Sequence, residues 1–254
     1  PTHQPAFSMA GCAEKCVQFF ALAFALATIA FYLAAWATPF WIQNKQDSFG
    51  DGHVVVGLGV LPYIGIAFDV ADTKGDLVYD YQSKRTVQKN CHGDACGILE
   101  ASFDQITQSV QQEANSICSV KNKDLTDEGV GMKNAFCDVR KATLALGIIA
   151  SFFEILVLLC VFFSLCGCVK SPAPVVVCTI ISELACVVAL FVYGIGVAAK
   201  VKGSDYKTGY SYWLLFIAMF LAGVTCVLSV IGARRQHHHH QLTQPLVYPQ
   251  QPRV

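Results

Sequence analysis

Four cysteines, Cys91, Cys96, Cys118 and Cys137, fall within one polar stretch of this 254-residue chain. Their chemistry is disulfide formation, because a small domain in an oxidising space gains stability from closing thiols in pairs. Free thiols in a reducing space are the alternative. Four cysteines allow three pairings, and spacing does not choose among them.

Two carboxylates, Glu154 and Glu183, stand alone in long apolar runs. A charged Asp, Lys or Arg at the centre of a membrane helix costs roughly 2.5–3.5 kcal/mol on insertion scales, so neither glutamate is expected to face lipid. Glu154 lies 16 residues before Lys170 and Glu183 nine after Pro174. In an antiparallel hairpin that spacing separates their depths by about 10 Å. Direct carboxyl contact is therefore not expected, and each glutamate needs its own partner. At least one is expected to be protonated and to donate a hydrogen bond inside the bundle as structural glue, with a proton or cation path as the alternative.

The remaining cysteines divide by depth. Cys160, Cys178, Cys186 and Cys226 lie within apolar runs and read as small packing residues. Cys12, Cys16, Cys166 and Cys168 lie at the inner membrane boundary, where thiols are either reversibly palmitoylated or inert. Cysteines on opposite sides of a bilayer cannot share a zinc ion, and no metal site or cofactor is expected. The run His237 to His240 reads as a solvated segment rather than a metal site, and His53 and His92 as isolated surface residues. No Gly-rich phosphate loop or Ser/His/Asp arrangement is present, so an enzyme is not expected.

The elements that position these groups follow from hydropathy. The chain is 54% hydrophobic and 14% charged, with apolar runs over 17–41, 142–169, 175–199 and 211–233. A bilayer core about 30 Å thick needs roughly 20 apolar residues at about 1.5 Å each, so every run is long enough to cross. Continuous apolar character indicates helices rather than outer-membrane strands. The first run is too long, and its flank too weakly basic, for a cleaved signal peptide. The predicted fold is an α-helical polytopic membrane protein: a four-transmembrane-helix bundle with a small outer domain of strands plus one helix.

In order, that gives an N-terminal segment 1–16, the first span, an outer domain 42–141, the second span, a turn 170–174, the third span, a second outer loop 200–210, the fourth span, and a tail 234–254. Net charge is zero, but residues 43–138 hold 14 acidic and eight basic side chains. An acidic outer domain argues against nucleic acid as a partner. Basic residues near the membrane do not settle orientation. The rule is weak for loops beyond about 60 residues, and the loop cysteines place that loop outside, with both termini cytoplasmic in the plasma membrane.

Within the loop, 53–60, 62–70 and 76–87 read as strands and 97–118 as an amphipathic helix with Leu99, Phe103, Ile106, Val110 and Ile117 on one face. Within the spans, three stripes suit close helix packing: Ala23, Ala27, Ala30 and Ala34; Thr143, Gly147, Ser151 and Glu154; and Ala218, Ala222, Thr225 and Ser229. All three are expected to pack inside a compact bundle.

The layout resembles the claudin and peripheral myelin protein superfamily. Pro39-Phe40-Trp41 is similar to the tryptophan that opens the claudin loop, Gly57-Leu58 to the start of the Gly-Leu-Trp signature, and Arg140 sits where claudins place a loop-closing arginine. Gly59 stands at the signature tryptophan position, the nearby cysteine pair is missing, and the loop is longer than usual. The resemblance implies lateral homo-oligomerisation into strands or arrays, as in junctions or protist surface coats. It also implies a cytoplasmic scaffold partner at the tail, where Val254 would add to a sheet edge. A pore or a channel-tuning subunit is the other function the resemblance implies. Arg234 and Arg235 suit anionic membrane lipids.

Overall fold

A computed structural model describes residues 9–243 apart from 50–51, 62, 71–72, 81–84, 94–95, 98–104, 106–107, 110–111, 113–115, 170 and 202–205; side chains at 9–14, 46–49, 52–53, 87–88 and 236–243 are also outside the description. Four helices form the bundle: α1 (Met9–Ala37), α3 (Asp138–Leu165), α4 (Ala173–Tyr193, continued through a π-helical stretch Gly194–Ala198 to Val201) and α5 (Tyr210–Thr243). Among the described residues, Lys15–Ala37, Asp138–Leu165, Ala173–Val201 and Tyr210–Arg235 are long and apolar enough to cross a bilayer. The protein is a multi-pass membrane protein. α1 packs along α5 and α3, and α3 along α4.

Between the first and second spans lie β1 (Ile42–Phe49), β2 (Gly52–Leu58), β3 (Tyr63–Val70), β4 (Thr73–Asp80), β5 (Arg85–His92) and the short helix α2 (Asp127–Phe136). The strands form an antiparallel meander, and β6 (Tyr206–Thr208), from the loop before α5, pairs with β1 to give the order β5-β4-β3-β2-β1-β6. The run 76–87, expected as one strand, contributes to two paired strands, β4 and β5. β1 and β6 were not legible beforehand: β1 carries Gln43, Asn44 and Lys45 where an alternating strand would show apolar residues. In the expected helix 97–118 the described positions are helical, and the rest lies outside the described residues.

Side chains alternate across the sheet. Val56, Leu58, Ile64, Ile66, Leu77 and Tyr79 share one face by register. Part of that face looks toward α2 across a cavity of about 380 Å³ lined by Val56, Leu58, Ile64, Met132 and Phe136. Thr126 caps α2, its Oγ1 accepting from the Gly129 amide at 3.2 Å.

The stripes meet different fates. Thr143, Gly147 and Glu154 are buried, with Ser151 partly so, and Ala218, Ala222 and Thr225 are buried beside a partly covered Ser229. Both face inward. The α1 stripe does not: Ala23 and Ala30 are exposed and Ala27 and Ala34 only half-buried, while Ala21, Ala25, Thr28, Tyr32, Ala35 and Trp36 fill the interior. The physical reason is size. Tyr32 reaches Cys186 on α4 and Trp36 lies over Gly147 on α3, and burying those rings rotates the small stripe outward.

Both disulfides are formed, Cys91–Cys96 at the end of β5 and Cys118–Cys137 at the α2–α3 joint. Closing 19 residues removes more unfolded-state freedom than closing five, about 3 against about 2 kcal/mol on the chain-entropy estimate. C118S/C137S is expected to lower the midpoint of thermal unfolding in mild detergent more than C91S/C96S does; the reverse order would show that strand-end closure matters more than the helix joint.

Candidate functional site

The seam between bundle and sheet is the best-built region of the molecule. α1 ends at Ala37, and β1 pairing begins at Ile42, so four residues turn the chain from membrane helix to strand. Trp41 sits in that turn, 0% exposed. Its Nε1 donates to the Ala35 carbonyl at 2.7 Å, its amide to Leu58 O at 3.0 Å, and its carbonyl accepts from the Gly209 amide at 2.9 Å. The indole stacks on Trp36 with centroids 5.1 Å apart and meets Tyr193 and Tyr212 edge-on at 5.0 and 5.9 Å. One side chain thus joins α1, α4, α5 and the sheet.

Phe40 works beside it. Gly57 and Gly65 are directly opposed on β2 and β3, and a Cβ on either would run into the Phe40 ring. Their missing side chains make a floor on which Phe40 lies, and Tyr210 stacks with Phe40 at 5.1 Å. Thr38 and Ser211 hydroxyls share a hydrogen bond of 2.6 Å across the same turn. Leu58 is buried in the core that contains Trp41.

A second seam fastens α2. Asn134 Nδ2 donates to the Gly196 carbonyl at 2.8 Å, inside the π-helical stretch of the third span. Lys200 pairs with Asp127 at 3.1 Å, and Lys133 donates to Val120 O and Asn122 Oδ1 at 2.6 and 2.8 Å. Arg140 is buried at the head of α3, just after the Cys137 joint. Sequence reasoning missed Tyr193, Tyr212 and Asn134, since each lies far along the chain from the residue it contacts.

At the opposite end of the bundle, Cys16, Cys166 and Cys168 are exposed free thiols. A cavity of about 400 Å³ is lined by Lys15, Cys16, Phe19, Phe20 and Leu165, which puts the start of α1 beside the end of α3. The Cys12 side chain, those of His237 to His240, and Val254 lie outside the described residues.

Both glutamates lie on the α3–α4 hairpin. Helix α3 stops at Leu165 because Gly167 adopts φ +78, the left-handed conformation that ends helices, with Cys168 N bonded back to Phe163 O at 2.9 Å. The hairpin apex is therefore earlier than Lys170. Ser182 Oγ donates to Ala150 O at 3.1 Å, which sets Glu154, one turn beyond Ala150, and Glu183, next to Ser182, about 7.5 Å apart along the hairpin at the helical rise. The two carboxyls lie within electrostatic reach of each other. Glu154 is 1% exposed and Glu183 half-buried, and Oε1 of each lacks a hydrogen-bond partner. Among the described residues, no three His, Cys, Asp or Glu side chains gather as metal ligands.

The geometry defines a class: a tetraspan membrane protein with a disulfide-braced antiparallel sheet set rigidly on its bundle. No protein-family model matches the chain, and comparison with curated proteins gives no match.

Gly57→Ala forces Phe40 off the sheet and is expected to cost about 1–3 kcal/mol by overpacking. Trp41→Phe keeps the ring but strands the Ala35 carbonyl, costing about 1–3 kcal/mol. Gly223→Ala, where a Cβ meets nothing within 4 Å, is the control and should leave the melting midpoint nearly unchanged. Wild-type melting of Gly57→Ala would show that the glycine floor is not a tight contact.

Proposed function

We propose that this protein is a claudin-like structural tetraspan of the plasma membrane that associates laterally with copies of itself into strands or arrays. The observation that carries this reading is the difference between the outward faces of the spans. Outward positions on α3 are bulky, among them Ile148, Phe152, Ile155 and Phe163, and so are Ile180, Leu184, Phe191 and Ile195 on α4. The outward face of α1 from Ala23 to Ala37 instead alternates small and large: Ala23, Leu26, Ala30, Leu33, Ala37.

In hydrocarbon, water exclusion cannot drive helices together, and association depends on how closely backbones approach. Alanines a heptad apart with leucines between them suit such an approach. The Trp41 and Asn134 seams support the same reading. The first fixes the sheet to α1 and the second fixes α2 to the third span, so a contact between α1 helices would carry the outer domains in one orientation. The outer domain faces the oxidising side, both termini are cytoplasmic, and the acidic loop and apolar outer surfaces leave lipids and identical copies as the partners, with a scaffold at the tail.

A transport role is the second reading, favoured by the buried carboxyl pair. Vesicles holding only this protein separate the two. Ordered rows or oligomers by imaging support lateral assembly, and isolated particles with ion flux support transport. A23I/A30I, which thickens the α1 face, is expected to weaken association at least roughly tenfold, about 1.4 kcal/mol, while F152A on α3 leaves it unchanged. Equal association of A23I/A30I and wild type would remove α1 as the contact. Orientation is checked with an impermeant maleimide on intact cells: Cys16, Cys166 and Cys168 are expected to react only after permeabilisation.

A further inference from the structure

The bundle interior contains a charge problem that the chain does not solve by itself. Apart from Glu154 and Glu183, residues 17–41, 142–169, 175–199 and 211–233 hold no Asp, Glu, Lys or Arg. Two ionised carboxylates within electrostatic reach of each other in hydrocarbon, with no cationic side chain nearby, would be costly both to desolvate and to hold together. The neighbours on every packed helix are neutral proton holders: Tyr32 on α1, Cys178, Ser182 and Cys186 on α4, and Cys226 on α5.

Hydrogen-bond bookkeeping points the same way. Ser182 lies beside the Glu154 carboxyl, but its hydroxyl has one proton to serve both that carboxyl and Ala150 O. Cys186 Sγ is likewise committed, donating to Tyr32 Oη at 3.2 Å. The Oε1 atoms of Glu154 and Glu183 are left without partners. The missing component is a small positive ligand. Because no third ligating side chain gathers with the pair among the described residues, a metal ion would lack a coordination shell.

We infer that Glu154 and Glu183 form a proton-binding site at mid-depth in the bundle, with protons as the only counter-charge to the pair. Glu183, the less covered of the two, is the member through which the proton exchanges with the surroundings. The site is independent of how copies of the protein associate.

The test uses the whole protein in lipid vesicles at neutral pH and an apolar carbodiimide, dicyclohexylcarbodiimide, which reaches carboxylic acids inside a bilayer. The acid proton passes to one carbodiimide nitrogen and the carboxyl oxygen adds to the central carbon. The acyl group then shifts to nitrogen, leaving a stable N-acylurea. Nothing departs, so the peptide gains the mass of the whole reagent. Peptide mapping of the wild-type protein is expected to place the adduct on Glu154 or Glu183, with at least tenfold less labelling in E154Q/E183Q. Labelling should also slow as pH is raised. Mapping on the wild type keeps the result interpretable if the double variant folds poorly. Absence of an adduct on both glutamates would overturn the inference. So would protection that rises with added sodium or potassium ions, since that would make the occupant a metal cation.

Discussion

A chain that leaves a membrane helix and enters a sheet within four residues has little freedom to satisfy its backbone, and this turn governs the rest of the structure. At the bilayer boundary, unpaired amides and carbonyls are expensive. Trp41 solves the problem by carrying two backbone bonds to the sheet while its indole returns a third to α1. The same ring is the meeting point of Trp36, Tyr193 and Tyr212 from three helices. The sheet is therefore built outward from the bundle, with Phe40 seated on the Gly57–Gly65 floor as the next contact.

The spans and cystines were legible because their signals are local. Twenty apolar residues read as a span whatever they pack against, and four loop cysteines read as two bridges even though their pairing needed coordinates. Trp41 and Gly57-Leu58 could be singled out by resemblance, but what they contact could not. The glycine of the signature is where an aromatic ring lies, and the partners of Trp41 come from 150 to 170 positions later in the chain. β1 was hidden because its pairing is specified by its neighbours: with β2 on one side and β6 on the other, polar side chains are tolerated on an interior strand.

Two errors of placement have the same origin, a one-dimensional rule applied where a three-dimensional feature decides. Small residues at helical spacing mark a close-packing face but do not say what it packs against. In α1 the large rings of Tyr32 and Trp36 claimed the interior first. Depth counted from a polar turn assumes that the helix runs to the turn. Gly167 ended α3 early, at Leu165, before the turn from which the depth was counted.

These features bear on one another through rigidity. A lateral contact made by α1 alone would orient nothing if the outer domain hung from a flexible linker, because the sheet could rotate about the last helical residue. Here the sheet is held at two separated places, by Trp41 at the end of α1 and by β6, which pairs with β1 and runs into α5, while Asn134 fastens α2 to the third span. Two attachments on different helices remove that rotation, as a single hinge could not. The π-helical stretch that presents the Gly196 carbonyl to Asn134 is then part of the fastening rather than a defect in the span. The carboxyl pair lies lower on the same α3–α4 hairpin, whose α3 arm leads through the Cys137 joint to α2. Of the two arms of that hairpin, α3 carries α2 through the Cys118–Cys137 bridge and the third span receives α2 through Gly196, so α2 is tied to both.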